Sequence, residues 1–189
     1  MRKTALVALP LLAVTGLALA ACTSQPDYRS AEGDPPTVES VDLSRYAGLW
    51  HEIARYPNSF EEGCTQTTAD YTLREDGKVT VVNSCTLADS GETKRAEGVA
   101  RVVDGSNNSK LKVKFAPSWV PFAWGDYWIL HLEDDYSAAL VGSPDGKYLW
   151  ILARDKQPAK ATVSRILQRA EALGYETAPL RFEDPSLAS

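Results

Sequence analysis

The sequence predicts an all-β fold: an eight-stranded antiparallel up-and-down barrel with one C-terminal α-helix packed on its outside and a short final strand. From Leu49 onward, short segments with period-two alternation recur every ten to fifteen residues. Turn-forming clusters separate them, among them Glu75-Asp76-Gly77, the polar run Asp104 to Ser109, and Pro144-Asp145-Gly146. The period then switches once, to helical spacing at Val163, Ile166, Leu167, Ala170 and Leu173. Evenly spaced short strands joined by tight turns specify a barrel or sandwich, and a single late switch puts one helix after the sheet.

In chain order, residues 1–21 read as an export signal. Arg2 and Lys3 form a basic start, Ala5 to Ala20 an apolar stretch interrupted by Pro10, and Leu19-Ala20-Ala21-Cys22 the close. A membrane anchor is the alternative for a stretch of this length, but small residues follow it where a charged stop belongs. The tetrapeptide ending at Cys22 resembles a bacterial lipobox, in which the cysteine is acylated and becomes the new amino terminus. Two or three acyl chains hold a protein on a membrane stably, whereas one is marginal. Thr23 follows where an Asp would signal inner-membrane retention, so the resemblance implies lipid anchoring at the outer membrane with the globular domain in the periplasm.

Residues 22–41 carry Pro26, Gly33, Pro35 and Pro36 among Ser and Thr, without apolar periodicity. They read as a flexible tether, spanning up to roughly 65 Å if extended. Strands are expected at 49–56, 65–74, 78–86, 93–103, 110–116, 126–133, 138–143 and 148–154. The helix is bounded by Pro158 before it and Gly174 just past its end. Its apolar stripe is explained by packing on the barrel wall. A short strand around Leu180-Arg181-Phe182 closes a domain of 42–183, leaving 184–189 as a tail.

At 189 residues with 44% apolar content, the chain suits one core plus appendages. Removal of Arg2 and Lys3 with the signal takes the formal net charge from −5 to −7, a balance that disfavours nucleic acid. Of three cysteines, lipidation of Cys22 leaves Cys64 and Cys85 as an even pair in an oxidising compartment. They are expected to be bonded, two buried free thiols being the alternative. Direct pairing about a turn at Asp76 sets Cys85 opposite residue 67, so the bridge requires the chain around Cys64 to fold back over the hairpin. Closing that loop contributes about 3 kcal/mol in the chain-entropy model.

Three signatures stand in order. Gly48-Leu49-Trp50 opens the first strand, Glu133-Asp134-Asp135-Tyr136 occupies the turn between the sixth and seventh, and Tyr148 to Arg154 ends the eighth. Together they resemble the lipocalins, and with the lipobox most of all the bacterial lipocalins and their relative apolipoprotein D. Glu133 stands where an Asp is commoner. The resemblance implies that Trp50 plugs the closed end of the barrel, that Arg154 packs across it, and that the interior takes a small hydrophobic ligand.

Alternation from Trp50 turns Glu52, Ala54 and Tyr56 inward, and alternation from Arg154 turns Trp150 and Leu152 inward. Leu111, Val113 and Phe115 face in against a wet face of Lys110, Lys112 and Lys114; Ala69, Tyr71 and Leu73 do the same on the second strand. Val79, Val81, Asn83, Ala96, Gly98, Ala100, Tyr127 and Ile129 follow partly from the family register. Small Ala and Gly positions leave volume for an acyl chain. For Tyr71, Phe115, Tyr127 and Trp150, ligand contact and plain core packing both remain open. An inward Glu52 must pair, protonate or find water; a hydrogen-bonded structural role is expected. The fifth connection, Ala116 to Gly125, lies at the open mouth. Its Trp119, Phe122 and Trp124 are expected at ligand, lipid or partner, unless the loop folds back on its own core.

The leading expectation is a non-enzymatic carrier of a fatty acid, lysophospholipid or similar amphiphile, serving envelope maintenance under stress. No Gly-x-Ser-x-Gly, metal-ligand spacing or phosphate loop occurs, and the two histidines, His51 and His131, form no motif with a nucleophile. No metal or cofactor is therefore expected. A lipid-modifying enzyme on the same scaffold is the alternative. An interaction module is the third reading, with the mouth loop or an outer barrel face meeting a partner or a second copy in a homodimer; Trp128 is expected to face outward, either beneath the helix or in such an interface.

Overall fold

The computed structural model describes residues 25–117, 120 and 123–188. The signal and Cys22 lie outside them, as do Trp119 and Phe122.

Each expected strand forms: β1 (Gly48–Arg55), β2 (Cys64–Leu73), β3 (Val79–Leu87), β4 (Thr93–Val102), β5 (Lys110–Lys114), β6 (Gly125–Leu132), β7 (Ala138–Gly142) and β8 (Leu149–Ala153). Neighbours in sequence pair antiparallel, and the sheet closes because β1 pairs with both β2 and β8, Trp50 facing Ala69 and Glu52 facing Leu152. A one-turn helix α1 (Leu43–Tyr46) precedes β1, and its N-cap Asp42 accepts from the backbone N–H groups of Ser44 and Arg45. After β8 come α2 (Lys160–Ala172) and β9 (Arg181–Phe182), which pairs on the edge of β1 at Ala54 and Arg55. Gly174 ends α2 at φ +83. The Tyr175 and Gly174 N–H groups donate back to the Ala170 and Glu171 carbonyls, a termination that needs a left-handed residue.

Alternation divides the apolar residues into two cores. Inside the barrel lie Trp50, Val79, Val81, Ala100, Leu111, Ile129 and Val141, among others. Outside, α2 lays Val163, Ile166 and Ala170 on Leu130, Leu140 and Ile151, as its stripe predicts. Trp128 belongs to this outer core. Its Nε1 donates to Asp126 Oδ1 at 3.1 Å, so it lies within the fold of its own chain rather than on a free surface.

Three expectations need correction. Ala54 and Tyr56 do not point into the barrel. A β-bulge shifts the β1–β8 register between Glu52 and Ala54, which turns Ala54 and Tyr56 to the helix side beside Ile53 and brings Arg55 inward. The face of β5 is not uniformly wet, because Lys114 is buried with its Nζ donating to the Val120 carbonyl. The disulfide does form, with Cα atoms 5.4 Å apart, but no fold-back delivers it. Cys64 is the first residue of β2, opposite Leu87, and an irregularity between Thr65 and Thr68 takes up the offset.

The ends of the domain also differ. Residues 25–41, read as an open tether, are laid along the barrel. Tyr28 packs on Tyr56 with ring centroids 4.8 Å apart, Arg29 bridges to Tyr175, and the Val38 N–H donates to the Ile129 carbonyl. Val41 is buried beside the closed end. The tail is likewise bound, since Leu187 joins the outer core. Composition misses both because single side chains dock these segments without any period.

Candidate functional site: the barrel interior

At the closed end, Gly48 takes φ +91, which a side chain rarely adopts, with the Arg154 guanidinium alongside. Trp50 is fully buried and donates from Nε1 to the Tyr46 carbonyl at 2.8 Å. The Arg154 guanidinium lies 3.9 Å from the Trp50 ring centre and donates to the carbonyls of Leu49, Arg45, Tyr46 and Ala47. One cation thus ties the chain entering β1 to the end of β8 while covering an aromatic face. The second signature is tied in the same way. The Tyr136 hydroxyl accepts from the Asp42 N–H, Arg45 stacks 3.9 Å over the Tyr136 ring, and Glu133 accepts from Arg165 of α2 at 3.2 Å.

Above this plug three tyrosines form a floor. The Tyr127 hydroxyl is 2.8 Å from that of Tyr46 and 3.0 Å from that of Tyr71. Burial raises the pKa of all three, so they stay neutral. Tyr127→Phe should cost about 1–3 kcal/mol, because two buried hydroxyls lose their shared partner. Denaturant unfolding of the variant checks this, and a change within error would show that the trio adds nothing to stability.

The space above the floor, on the mouth side, is a cavity of about 470 Å³, open at the mouth. Ligand pockets of about 300–1,000 Å³ are usual for small molecules. Tyr71, Tyr127, Phe115 and Trp150 all line it, as the sequence suggests. Trp124 does not. It lies on the outer surface, its ring 4.6 Å from the Arg101 guanidinium. The Phe115 ring occupies the place a Cβ on Gly98 would take, so that glycine yields its volume to an aromatic rather than to a ligand.

Other residues that alternation alone does not single out also line the cavity. Tyr148 stacks on Trp150 at 5.7 Å, two residues away on the same face, and that spacing was the signal for it. Phe60 comes from the β1–β2 loop to lie 5.6 Å from Tyr148, and the Lys94 Nζ holds the Phe60 carbonyl at 2.8 Å. No periodicity marks a loop residue of this kind.

Two sets of polar groups stand out in the cavity wall. Arg55, brought inward by the bulge, donates to Glu52 Oε1 at 2.6 Å and lies 3.7 Å from Glu61 Oε2 and 3.4 Å from Glu183 Oε1. Trp150 Nε1 donates to Glu61 at 3.3 Å. Across the cavity wall, Thr67 Oγ1 and Asn83 Oδ1 are buried without a hydrogen-bond partner among the described residues. Such atoms are costly unless something polar meets them. Among the described residues no group of His, Cys, Asp and Glu is arranged to hold a metal ion.

Burial, reinforced by the charge of Glu61, holds the Glu52 carboxyl well above its ordinary value of 4.5, against the pull of Arg55. Folded Glu52 keeps its proton to higher pH than the unfolded chain does. Its contribution to stability is therefore full below about pH 4.5 and falls as pH rises toward the folded value. Glu52→Gln should gain stability relative to the wild type as pH rises from 4 to 8, since Arg55 retains Glu61 and Glu183. Urea melts across that range check it, and a gap that fails to widen with pH would refute it.

Residues 41–185 match the family model described as a lipocalin-like domain. The chain belongs to the lipocalin family. It is 37% identical over 149 residues to the outer membrane lipoprotein Blc of Vibrio cholerae, covering 77% of this chain and 85% of that one. It is 36% identical over 137 residues to apolipoprotein D of Macaca fascicularis, covering 68% and 69%. Among solved structures, insecticyanin of the tobacco hornworm Manduca sexta superposes with a TM-score of 0.66 at 26% identity, over 83% of this chain and 87% of that one. The plug of Trp50 and Arg154 is thus the closed end of a lipocalin barrel, and the cavity above it is the lipocalin interior, the place where this family takes small hydrophobic ligands.

Proposed function

We propose that this lipocalin carries a single-chain amphiphile, a fatty acid or lysophospholipid, while held at the outer membrane by acyl chains on Cys22. Its globular domain then lies in the periplasm, and its role is maintenance of the envelope under stress. The observation that carries the ligand class is the cavity of about 470 Å³, its wall largely apolar and partly aromatic, with Glu52, Glu61, Thr67 and Asn83 among the polar groups on it. An acyl chain fits the apolar wall and a small head the polar groups. The name of the Vibrio cholerae relative supports the location. The carrier reading is preferred to the enzyme because neither His51 nor His131 lines the cavity.

The domain from Gln25 onward, titrated with a fluorescent fatty acid and then with lysophospholipid as competitor, should bind saturably at one ligand per barrel. Absence of saturable binding to both would end this reading. Light scattering of the same sample reads whether two copies associate.

A further inference from the structure

The structure constrains how the barrel stands on the membrane. The first described residue, Gln25, lies at the rim of the mouth, where its Nε2 donates to the Pro57 carbonyl and approaches the Lys147 carbonyl at 3.4 Å. Pro57 begins the β1–β2 loop that carries Phe60, and Lys147 precedes Tyr148; both aromatics line the cavity. From there the chain runs away from the mouth. The Tyr28 N–H donates to the Gly146 carbonyl and the Ser30 N–H to that of Gly174, and Val41 reaches Asn107 at the closed end. The Arg29 Cβ occupies the space a Cβ on Gly146 would fill, so the segment is packed down rather than draped.

Only Thr23 and Ser24 separate Gln25 from Cys22. Three Cα-to-Cα steps reach at most about 11 Å, whereas a ten-residue strand tilted in a barrel of this size spans about 25 Å from one end to the other. Acyl chains on Cys22 are therefore within reach of the mouth rim and out of reach of the closed end. Two large side chains fit that placement. Phe60 and Phe115 each line the cavity and are also 48% and 44% exposed at the rim.

We propose that the lipocalin docks mouth-down, with the rim around Phe60 and Phe115 against the bilayer that holds its own anchor, so that a single-chain lipid passes between membrane and cavity without crossing water. The inference rests on acylation of Cys22, as proposed above. A long flexible tether would have allowed any orientation. The docked segment removes that freedom.

The test uses full-length acylated protein in phosphatidylethanolamine–phosphatidylglycerol vesicles containing a nickel-chelating lipid. A nitroxide is attached in turn at Asp89→Cys, on the exposed β3–β4 hairpin at the mouth, and at Glu75→Cys, on the exposed β2–β3 hairpin at the closed end. Nickel-induced relaxation should be several-fold stronger at position 89 than at 75. Twenty Gly and Ser residues inserted between Ser24 and Gln25 should abolish the difference. Equal relaxation at both sites in the uninserted protein, or stronger relaxation at 75, overturns the orientation. Mass spectrometry of the Cys22 peptide reads the anchor separately: unmodified Cys22 overturns the anchor and the orientation with it. Fluorescent fatty acid titration of the same samples reads the cavity, so loss of ligand binding is distinguished from a wrong orientation.

Discussion

Trp50→Ala should lower the free energy of unfolding by about 3–5 kcal/mol, the usual cost of removing a fully buried large aromatic. The loss exceeds that of an ordinary core residue for a geometric reason. Trp50 packs against Tyr46 at 4.9 Å on one side and beneath Arg154 on the other. Without the ring, Arg154 keeps its carbonyls but loses the face it covers, and the closed end opens to water beneath a charged group. Trp50→Phe should cost substantially less, because an aromatic face remains under the guanidinium although the hydrogen bond to Tyr46 is gone. Urea unfolding of the three proteins checks the order. Equal losses for Ala and Phe would show that the indole hydrogen bond, and not the plug, carries the stability.

Ala96→Trp should abolish measurable ligand binding while leaving the barrel intact. Ala96 sits opposite Asn83 and lines the cavity, yet it is exposed to solvent through the open mouth. A larger side chain there enters empty volume rather than a packed core, so stability should change by no more than about 1 kcal/mol. The cavity loses the room an acyl chain needs. Affinity for a fluorescent fatty acid should fall at least about a hundredfold, equivalent to about 2.7 kcal/mol. Unchanged affinity with an unchanged melt would place the ligand elsewhere than in this cavity.

How far the sequence could be read follows from the same geometry. Wherever a strand keeps strict alternation, facing is legible: Tyr71 and Trp150 line the cavity as alternation places them, and Asn83 and Tyr127 as alternation and the family register together place them. Legibility fails where a backbone irregularity intervenes, because period-two patterning carries no mark of an extra residue. The bulge in β1 sent Ala54 and Tyr56 to the wrong side and hid Arg55, which as an inward cation answers the question posed by Glu52. Phe60 and the segment from Gln25 to Val41 were hidden for another reason. Each docks through one side chain at a time, and a Pro- and Ser-rich composition that resembles a linker says nothing of where Tyr28 or Val41 finds a hole. Trp124 shows the converse, an aromatic in a mouth loop that spends its face on Arg101 outside the barrel.

The bulge in β1 also makes the pairing of that strand matter as much as its composition. Before it, the strand serves the cavity; after it, the strand serves the helix and still sends Arg55 in to meet Glu52 and Glu61. A β1 of the same sequence paired regularly, without the bulge at Ile53, would keep every side chain chemically unchanged, yet it would turn Ala54 and Tyr56 toward the ligand space and drive Arg55 under α2. Two buried carboxylates would then face each other without their cation. The irregularity thus acts like a frame shift confined to one strand, and it lets a single β1 line the cavity with its first half and pack under the helix with its second.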